Sequence, residues 1–310
     1  MCRFVLYQGQ PLTIASLVTE PSHSIIHQST QSRETDDPLN GDGFGVAWYA
    51  HELSPRPAVF RSISPAWSNM NLLELARVTK STCILAHVRA ATPGLPVTEL
   101  NCHPFSARNY AFMHNGDVAR FGAIRRKVLE GLSDDAFQTI KGSTDSEHLF
   151  AVFLDKAAEM EAGRVDPTEI LARSLEATVS YAVNLSREAA AQIPLRASGG
   201  GGRVREAGGG VPATTTDNEC YLNIAVSDGT RSVACRYTTD KDEPASLYVH
   251  TGRRYECEGG VCRMVSPERG KGAVIVCSEP LSDDPGWQKI PRNSMVVINE
   301  HQECEIRKMS

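Results

Sequence analysis

The sequence predicts an α+β fold built on antiparallel sheets. Strand-like and helix-like segments are mixed up to about residue 186, and strands dominate after the glycine-rich stretch that follows. There is no regular strand–helix alternation of the kind a parallel sheet requires, and no internal repeat. Hydrophobic residues make up 41% of the 310 and charged residues 22%, the balance of a globular chain with a sizeable core.

The opening MCRFVLYQG alternates and carries β-branched and aromatic residues, so it predicts a strand. PLTIASLVTE predicts a short helix, and the polar PSHSIIHQSTQSRETDDPLN a long loop. Glycines in NGDGFGVAWYA lead into a second strand over 45–49. NMNLLELARVTK has apolar residues three and four apart and predicts a helix. STCILAHVRAAT is a continuous apolar run, a strand buried on both faces, and YAFMHNGDV is a strand ending at a turn. Helices follow over AIRRKVLEGL, GSTDSEHLFAVFLDKAAEM and PTEILARSLEATVSYAVNL. In the second of these, Thr144 and Glu147 have the spacing of a capping box, which places Asp145 at the first helical position. Residues 186–216 are rich in Gly, Ala and Ser and predict a flexible insertion, because they cannot bury enough apolar area to offset ordering. YLNIAVSDG, RSVACRYTT, SLYVHTG, GAVIVCSEPL, NSMVVINE and CEIRKM complete the strands.

The net charge of −5 argues against nucleic-acid binding, which needs a clustered basic surface. The densest basic stretch, Arg125–Lys127, reads as a solvated helix face. No apolar run reaches the roughly 18 residues of a membrane span, and the first residues lack the pattern of a signal peptide. A cytoplasmic protein is the expectation. Nine cysteines, several inside apolar strands, are expected to be buried free thiols rather than disulfides. Cys257 and Cys262 lack a second Cys/His pair at zinc spacing, so neither metal nor cofactor is expected.

Four short stretches carry chemistry-bearing residues: AHVRAAT (86–92), NCHPF (101–105), FMHNGD (112–117) and STDSE (143–147). Taken singly, Arg89 reads as a strand-end charge, His103 as a core histidine, Asn115–Gly116 as a hairpin turn and Asp145 as a helix-terminal acid. Cys2 adds a further feature. Removal of Met1 would leave a thiol and a free α-amine on one residue, whereas a retained Met1 would block the amine.

In this order MCRF, NGDGFGVAW, AHVRAAT, NCHPF, MHNG and GSTDSE resemble the class II glutamine amidotransferase domains, a family of N-terminal-nucleophile hydrolases. The likeness is nearest to the fungal amidotransferase subunits of a glutathione-degrading complex, and more distant to bacterial ergothioneine-pathway γ-glutamyl amidohydrolases. It continues through ASLYVHTG, VIVCSEPL and Trp287–Ser294, and so covers nearly all of residues 2–310 as one domain. It implies a four-layer α-β-β-α sandwich of two antiparallel sheets. It implies Cys2 as nucleophile, with the Asn115 side chain and the Gly116 N–H as oxyanion donors. Arg89 would clamp the α-carboxylate of a glutamyl substrate, Thr92 would add a hydroxyl, and Asp145 would pair with the α-ammonium. His103 and His114 would support the site from behind, Asp42 and Gly43 would shape its floor, and Glu279 acquires no role. Hydrolysis of glutathione or a related γ-glutamyl peptide, beside a metallopeptidase-like partner subunit, is the first expectation. Ammonia delivery from glutamine is the second, set lower because nothing after residue 217 resembles an ammonia-accepting domain. A non-catalytic γ-glutamyl-binding scaffold is the third, disfavoured by intact Cys2, Arg89, Asn115, Gly116 and Asp145.

Overall fold

Apolar residues on both sides of the central strands are what a sheet needs when it is covered twice, and two such sheets organise this chain. The structure, a computed structural model, describes residues 2–35, 39–91, 96–163, 165–192, 218–258, 261–265 and 272–309. The first half contains β1 (Arg3–Thr13), α1 (Ala15–Val18), α2 (Ile25–Gln28), β2 (Phe44–Trp48), β3 (Ala58–Ser62), α3 (Met70–Val78), β4 (Lys80–Val88), β5 (Phe105–Ala107) and β6 (Tyr110–Asp117). Helices α4 (Phe121–Glu130), α5 (Asp134–Phe137), α6 (Asp145–Glu161) and α7 (Pro167–Gln192) follow. The remainder is β7 (Tyr221–Ser227), β8 (Ser232–Thr238), β9 (Tyr248–Gly252), β10 (Arg254–Glu258), β11 (Val261–Val265), β12 (Ala273–Cys277), β13 (Gln288–Lys289), β14 (Ser294–Ile298) and β15 (Cys304–Lys308).

One sheet has the order β13-β9-β12-β1-β4-β2-β3, the other β15-β14-β8-β7-β6-β5, and every ladder in both is antiparallel. Strand alternation divides the apolar residues among three cores. Phe4 and Leu6 of β1, Cys83 and Leu85 of β4, and Ala111 and Met113 of β6 fill the space between the sheets. Val5, Tyr7, Ile84 and Ala86 face outward against Leu17, Ile25 and Leu72 of α1–α3. Tyr110 and Phe112 face outward against Phe150, Phe153 and Leu175 of α6 and α7. The layers are therefore helix, sheet, sheet, helix, as expected. Each fully buried large side chain contributes about 1.5–3 kcal/mol, so the continuous apolar runs of β1 and β4 stabilise two interfaces at once.

Several local expectations need correction. β1 runs on to Thr13, because Leu12 and Thr13 pair with Ser81 and Lys80 beyond a register irregularity, and this leaves α1 only four residues. The polar stretch after it holds the short helix α2, capped by the Ser24 side chain, which accepts the His27 N–H. α7 continues through 186–192 with Ser186 and Ala189 buried, so the predicted insertion starts inside a helix; the rest of it, 193–216, lies outside the described residues. Cys257 and Cys262 sit opposite one another in the unanticipated β10–β11 hairpin and form a disulfide; the other described cysteines are free. The antiparallel register, which sets the two residues directly opposite one another, explains the pairing. Arg125, Arg126 and Lys127 are exposed on α4. Among the described residues no helix is long and apolar enough to cross a membrane.

Candidate active site

Cys2 continues the alternation of Leu6 and Phe4, and so projects toward the space between the sheets at the start of β1. In the β1–β4 ladder Arg3 lies opposite Val88, and one step further out Cys2 meets the segment after β4. There its Sγ accepts the Ala90 N–H at 3.4 Å and lies 3.5 Å from the Ala90 carbonyl. Burial raises the Cys2 thiol above its ordinary value, against the opposing effects of the Ala90 N–H and the Arg89 and Arg3 charges. Burial thus disfavours the thiolate, and a nucleophilic role requires a base.

Arg89 is buried beside it, 4% exposed, and its Nη1 has no hydrogen-bond partner. Its backbone is braced by the two residues that precede β2: the Arg89 N–H donates to Gly43 O at 2.8 Å, and the Asp42 N–H to Arg89 O at 3.1 Å. Asp42 Oδ2 also accepts the Ala91 N–H at 2.8 Å. Gly43 has φ +111°, and a Cβ there would press on Cys102 Sγ, so this brace requires glycine. Thr92 lies outside the described residues.

Asn115 and Gly116 lie inside β6, not at a hairpin turn, and pair with Asn223 and Leu222 of β7. Asn115 follows Ala111 and Met113 onto the inter-sheet face, is 3% exposed, and leaves Nδ2 buried without a partner. A Cβ at Gly116 would be driven into the Tyr221 carbonyl, so close approach of β7 explains this glycine. Asn223, which the sequence did not single out, donates to Ala245 O at 3.0 Å and leaves its Oδ1 buried and unpartnered.

Asp145 opens α6 as predicted. Thr144 caps the helix by accepting the Glu147 N–H at 3.2 Å. The reciprocal half of the capping box is not made, because Glu147 instead accepts the Lys141 and Gly142 N–H groups at 2.8 and 2.6 Å. Asp145 Oδ2 accepts the Val118 N–H at 2.9 Å, which ties the helix start to the end of β6.

Three buried histidines fill the region between these groups. His114 Nε2 donates to the Tyr221 carbonyl at 3.1 Å, and its Nδ1 lies 2.9 Å from Ser146 Oγ, a hydroxyl that also reaches Asp145 Oδ1 at 3.2 Å. His87 Nε2 reaches the His114 carbonyl at 3.3 Å, and its ring lies 4.3 Å from that of His103. Both nitrogens of His103 are unpartnered, and it is held by ring contacts with His87 and Phe105. Burial holds His103 well below the ordinary imidazole range and His87 at about 3, so both are neutral. His87 therefore joins the Arg89 strand to the Asn115 strand. It was legible only as one letter of AHVRAAT.

Behind Cys2, on the opposite face of β1, lies a charged network. Arg3 donates from Nη1 to the Cys2 carbonyl and from Nε to Glu279 Oε1, each at 2.8 Å. Glu279 is fully buried. Burial alone would raise its carboxyl, but hydrogen bonds from His23, Ser32 and the Arg33 N–H, with the Arg3 charge, outweigh that and hold it at about 2. A carboxylate held below its ordinary 4.5 stabilises the fold above that pH and loses the contribution as pH falls through about 2. In urea titrations the stability gap between wild type and Glu279→Gln should therefore shrink by about 3 kcal/mol across that window. A constant gap would contradict the assignment.

Glu20 lies close to Cys257 and Cys262, but the disulfide occupies both sulfurs and leaves no thiolate for a metal.

Comparison with known proteins identifies the family of the chain. A family description, glutamine amidotransferases class-II, matches residues 14–186. The chain is 39% identical to the "Probable glutamine amidotransferase DUG3" of Saccharomyces cerevisiae, over 97% of this chain and 82% of that one. It is 31% identical to a "Gamma-glutamyl-hercynylcysteine sulfoxide hydrolase" of Mycobacterium tuberculosis, over 97% and 94%. Among solved structures, a glutamine aminotransferase class-II domain protein from Silicibacter pomeroyi superposes with a TM-score of 0.60 at 26% identity, covering all of both chains. The glutamine phosphoribosylpyrophosphate amidotransferase of B. subtilis shares the fold, with a TM-score of 0.55 at 14% identity, over all of this chain and 49% of that one. The chain therefore belongs to the class II glutamine amidotransferases, a family of enzymes.

Proposed function

We propose that this enzyme hydrolyses γ-glutamyl amide bonds through a thioester on Cys2, acting on glutathione or a related γ-glutamyl peptide. One observation carries the reading. Two buried donors stand without partners: Arg89 Nη1, next to the half-buried thiol, and Asn115 Nδ2, on the inter-sheet face of β6 that Cys2 also faces across β1. Leaving a buried donor unsatisfied costs about 1–3 kcal/mol, a cost that a bound carboxylate and a developing oxyanion would relieve.

Removal of Met1 exposes the Cys2 amine, whose ordinary pKa of about 7.7–8.0 suits a base at neutral pH. The amine takes the Sγ proton, and the thiolate attacks the γ-carbonyl carbon. Asn115 Nδ2, with the Gly116 N–H, stabilises the oxyanion. The ammonium returns the proton to the leaving nitrogen as the C–N bond breaks. Water, deprotonated by the same amine, then cleaves the thioester and releases glutamate. Arg89 and Thr92 hold the substrate α-carboxylate, and Asp145 its α-ammonium. His103 and His114 serve as supports: both are buried, and burial holds both below the ordinary imidazole range.

Ammonia delivery is the second reading, supported by the family description and by the printed name of the yeast relative. Peptide hydrolysis is placed first because the described strands from Tyr221 onward, the β10–β11 hairpin apart, complete the two sheets that carry the site. The name of the mycobacterial relative, a γ-glutamyl hydrolase, also supports it. Comparing kcat/KM for L-glutamine and glutathione, with and without a metallopeptidase-like partner, separates the two. Glutathione should win on the first reading. A preference for glutamine by about two orders of magnitude would transfer the assignment to the second.

A further inference from the structure

We propose that Glu279 is a positioning residue for the nucleophile, acting through Arg3 to fix the carbonyl of Cys2. This inference rests on the reading of Cys2 as the reacting group.

The carboxylate has every oxygen engaged. Oε1 accepts from Arg3 Nε at 2.8 Å and Ser32 Oγ at 2.6 Å. Oε2 accepts from His23 Nε2 and the Arg33 N–H, both at 2.8 Å. Arg3 is equally committed. Besides Glu279 and the Cys2 carbonyl, its Nη2 donates to Ser32 Oγ and Thr35 Oγ1 at 2.8 and 2.7 Å. A buried ion pair is a poor device for stability alone, since well-packed apolar residues often serve as well. What this pair adds is direction, because a guanidinium held at several points cannot rotate.

The direction matters because of where Cys2 sits. Arg3, like Val5 and Tyr7, lies on the helix-facing side of β1, while Cys2 lies on the inter-sheet side with Phe4 and Leu6. Arg3 therefore holds the Cys2 carbonyl from behind the sheet without obstructing the thiol. Once Met1 is removed, Cys2 is a chain end, and chain ends fray unless tied. Its amine is oriented relative to the strand by a single backbone torsion, measured from the plane of the carbonyl that Arg3 holds. The anchor for that hold is set by the sheet: Val5 pairs with Cys277, the Ser278 N–H donates to Phe4 O at 3.0 Å, and Ser278 Oγ accepts the Phe4 N–H at 3.0 Å. Glu279 is thus delivered to the start of β1 by the strand beside it.

The test uses protein verified by mass to lack Met1, assayed on whichever of L-glutamine and glutathione turns over faster. Glu279→Gln keeps the shape of the side chain and removes its charge. Its kcat should fall about 10- to 100-fold, with KM within about twofold, because the glutamyl cradle is untouched. Breaking a buried pair can also unfold a chain, so the double variant Arg3→Met with Glu279→Gln is measured beside it, each with a melting curve. The double variant removes both charges and should fold, with the same low kcat and unchanged KM. Wild-type kcat in either folded variant, or a raised KM at unchanged kcat, overturns the inference. Cys2→Ala separates the two levels. If it retains turnover, the nucleophile assignment fails. If it is inactive while folded Glu279→Gln is fully active, only the positioning role fails.

Discussion

Cys2→Ala in protein lacking Met1 loses hydrolysis of every γ-glutamyl substrate, with kcat lower by about 10⁴- to 10⁶-fold, the range seen when a covalent nucleophile is deleted. The alternatives for covalent attack are weak. Of the other described free cysteines, Cys83, Cys102, Cys220, Cys235 and Cys277 are buried, with burial pushing Cys83 and Cys235 up to about 12, and the partly exposed Cys304 lies on the edge strand β15, its thiol raised by burial to about 11. Cys2 is half-buried and borders the Arg89 segment. Alanine leaves the amine, Arg89 and Asn115 in place, so the glutamyl end should still bind, and a competition assay with L-glutamate measures that directly. Cys2→Ser sharpens the result, because it keeps the shape and replaces only the sulfur. Normal turnover by either folded variant would remove the thioester from the mechanism.

Asn115 gives the second large effect, and it separates catalysis from stability. Asn115→Ala should lower kcat by about 10²- to 10³-fold, the usual loss when one oxyanion donor is deleted. Asn115→Asp should be worse, because a carboxylate at that position opposes the negative charge developing on the γ-carbonyl oxygen. Stability should move little or rise in Asn115→Ala. The wild-type Nδ2 is buried without a partner, so its removal relieves an unsatisfied donor rather than breaking a bond. Melting curves and kcat measured on the same samples check both halves. A large drop in melting temperature with nearly normal kcat would make Asn115 a strand residue and nothing more.

Parts of this arrangement were legible as local chemistry. The doubly buried strands follow from the continuous runs FVLY and CILAHV, and the position of Asp145 follows from the Thr144 cap. Other parts depend on contacts that no local pattern carries. Glu279 meets Arg3 across 276 positions, so SEP offered a motif without a partner. The strands β5 and β13 are too short to show a period, β3 follows directly on a Pro-rich connection, and the β10–β11 hairpin is fixed by the pairing of Cys257 with Cys262 that neither residue shows alone. Helix α7 outlasted its predicted end because the Ala-rich stretch 188–192 continues a helix as readily as it opens a loop. Asn115–Gly116 suggested a turn by composition, but pairing with β7 keeps it extended and imposes the glycine sterically. The tertiary setting decided each of these.

Catalysis by a sulfur and an amine on one terminal residue is tested most directly by unmasking that amine in a single sample. A chain made with a short removable extension before Cys2 is assayed before and during cleavage by a site-specific protease, with the new N-terminus followed by mass spectrometry. Activity should be absent at the start and should rise in step with the fraction of molecules that begin at Cys2. Full activity in the uncleaved chain, at the rate of the processed one, would contradict a role for the free amine.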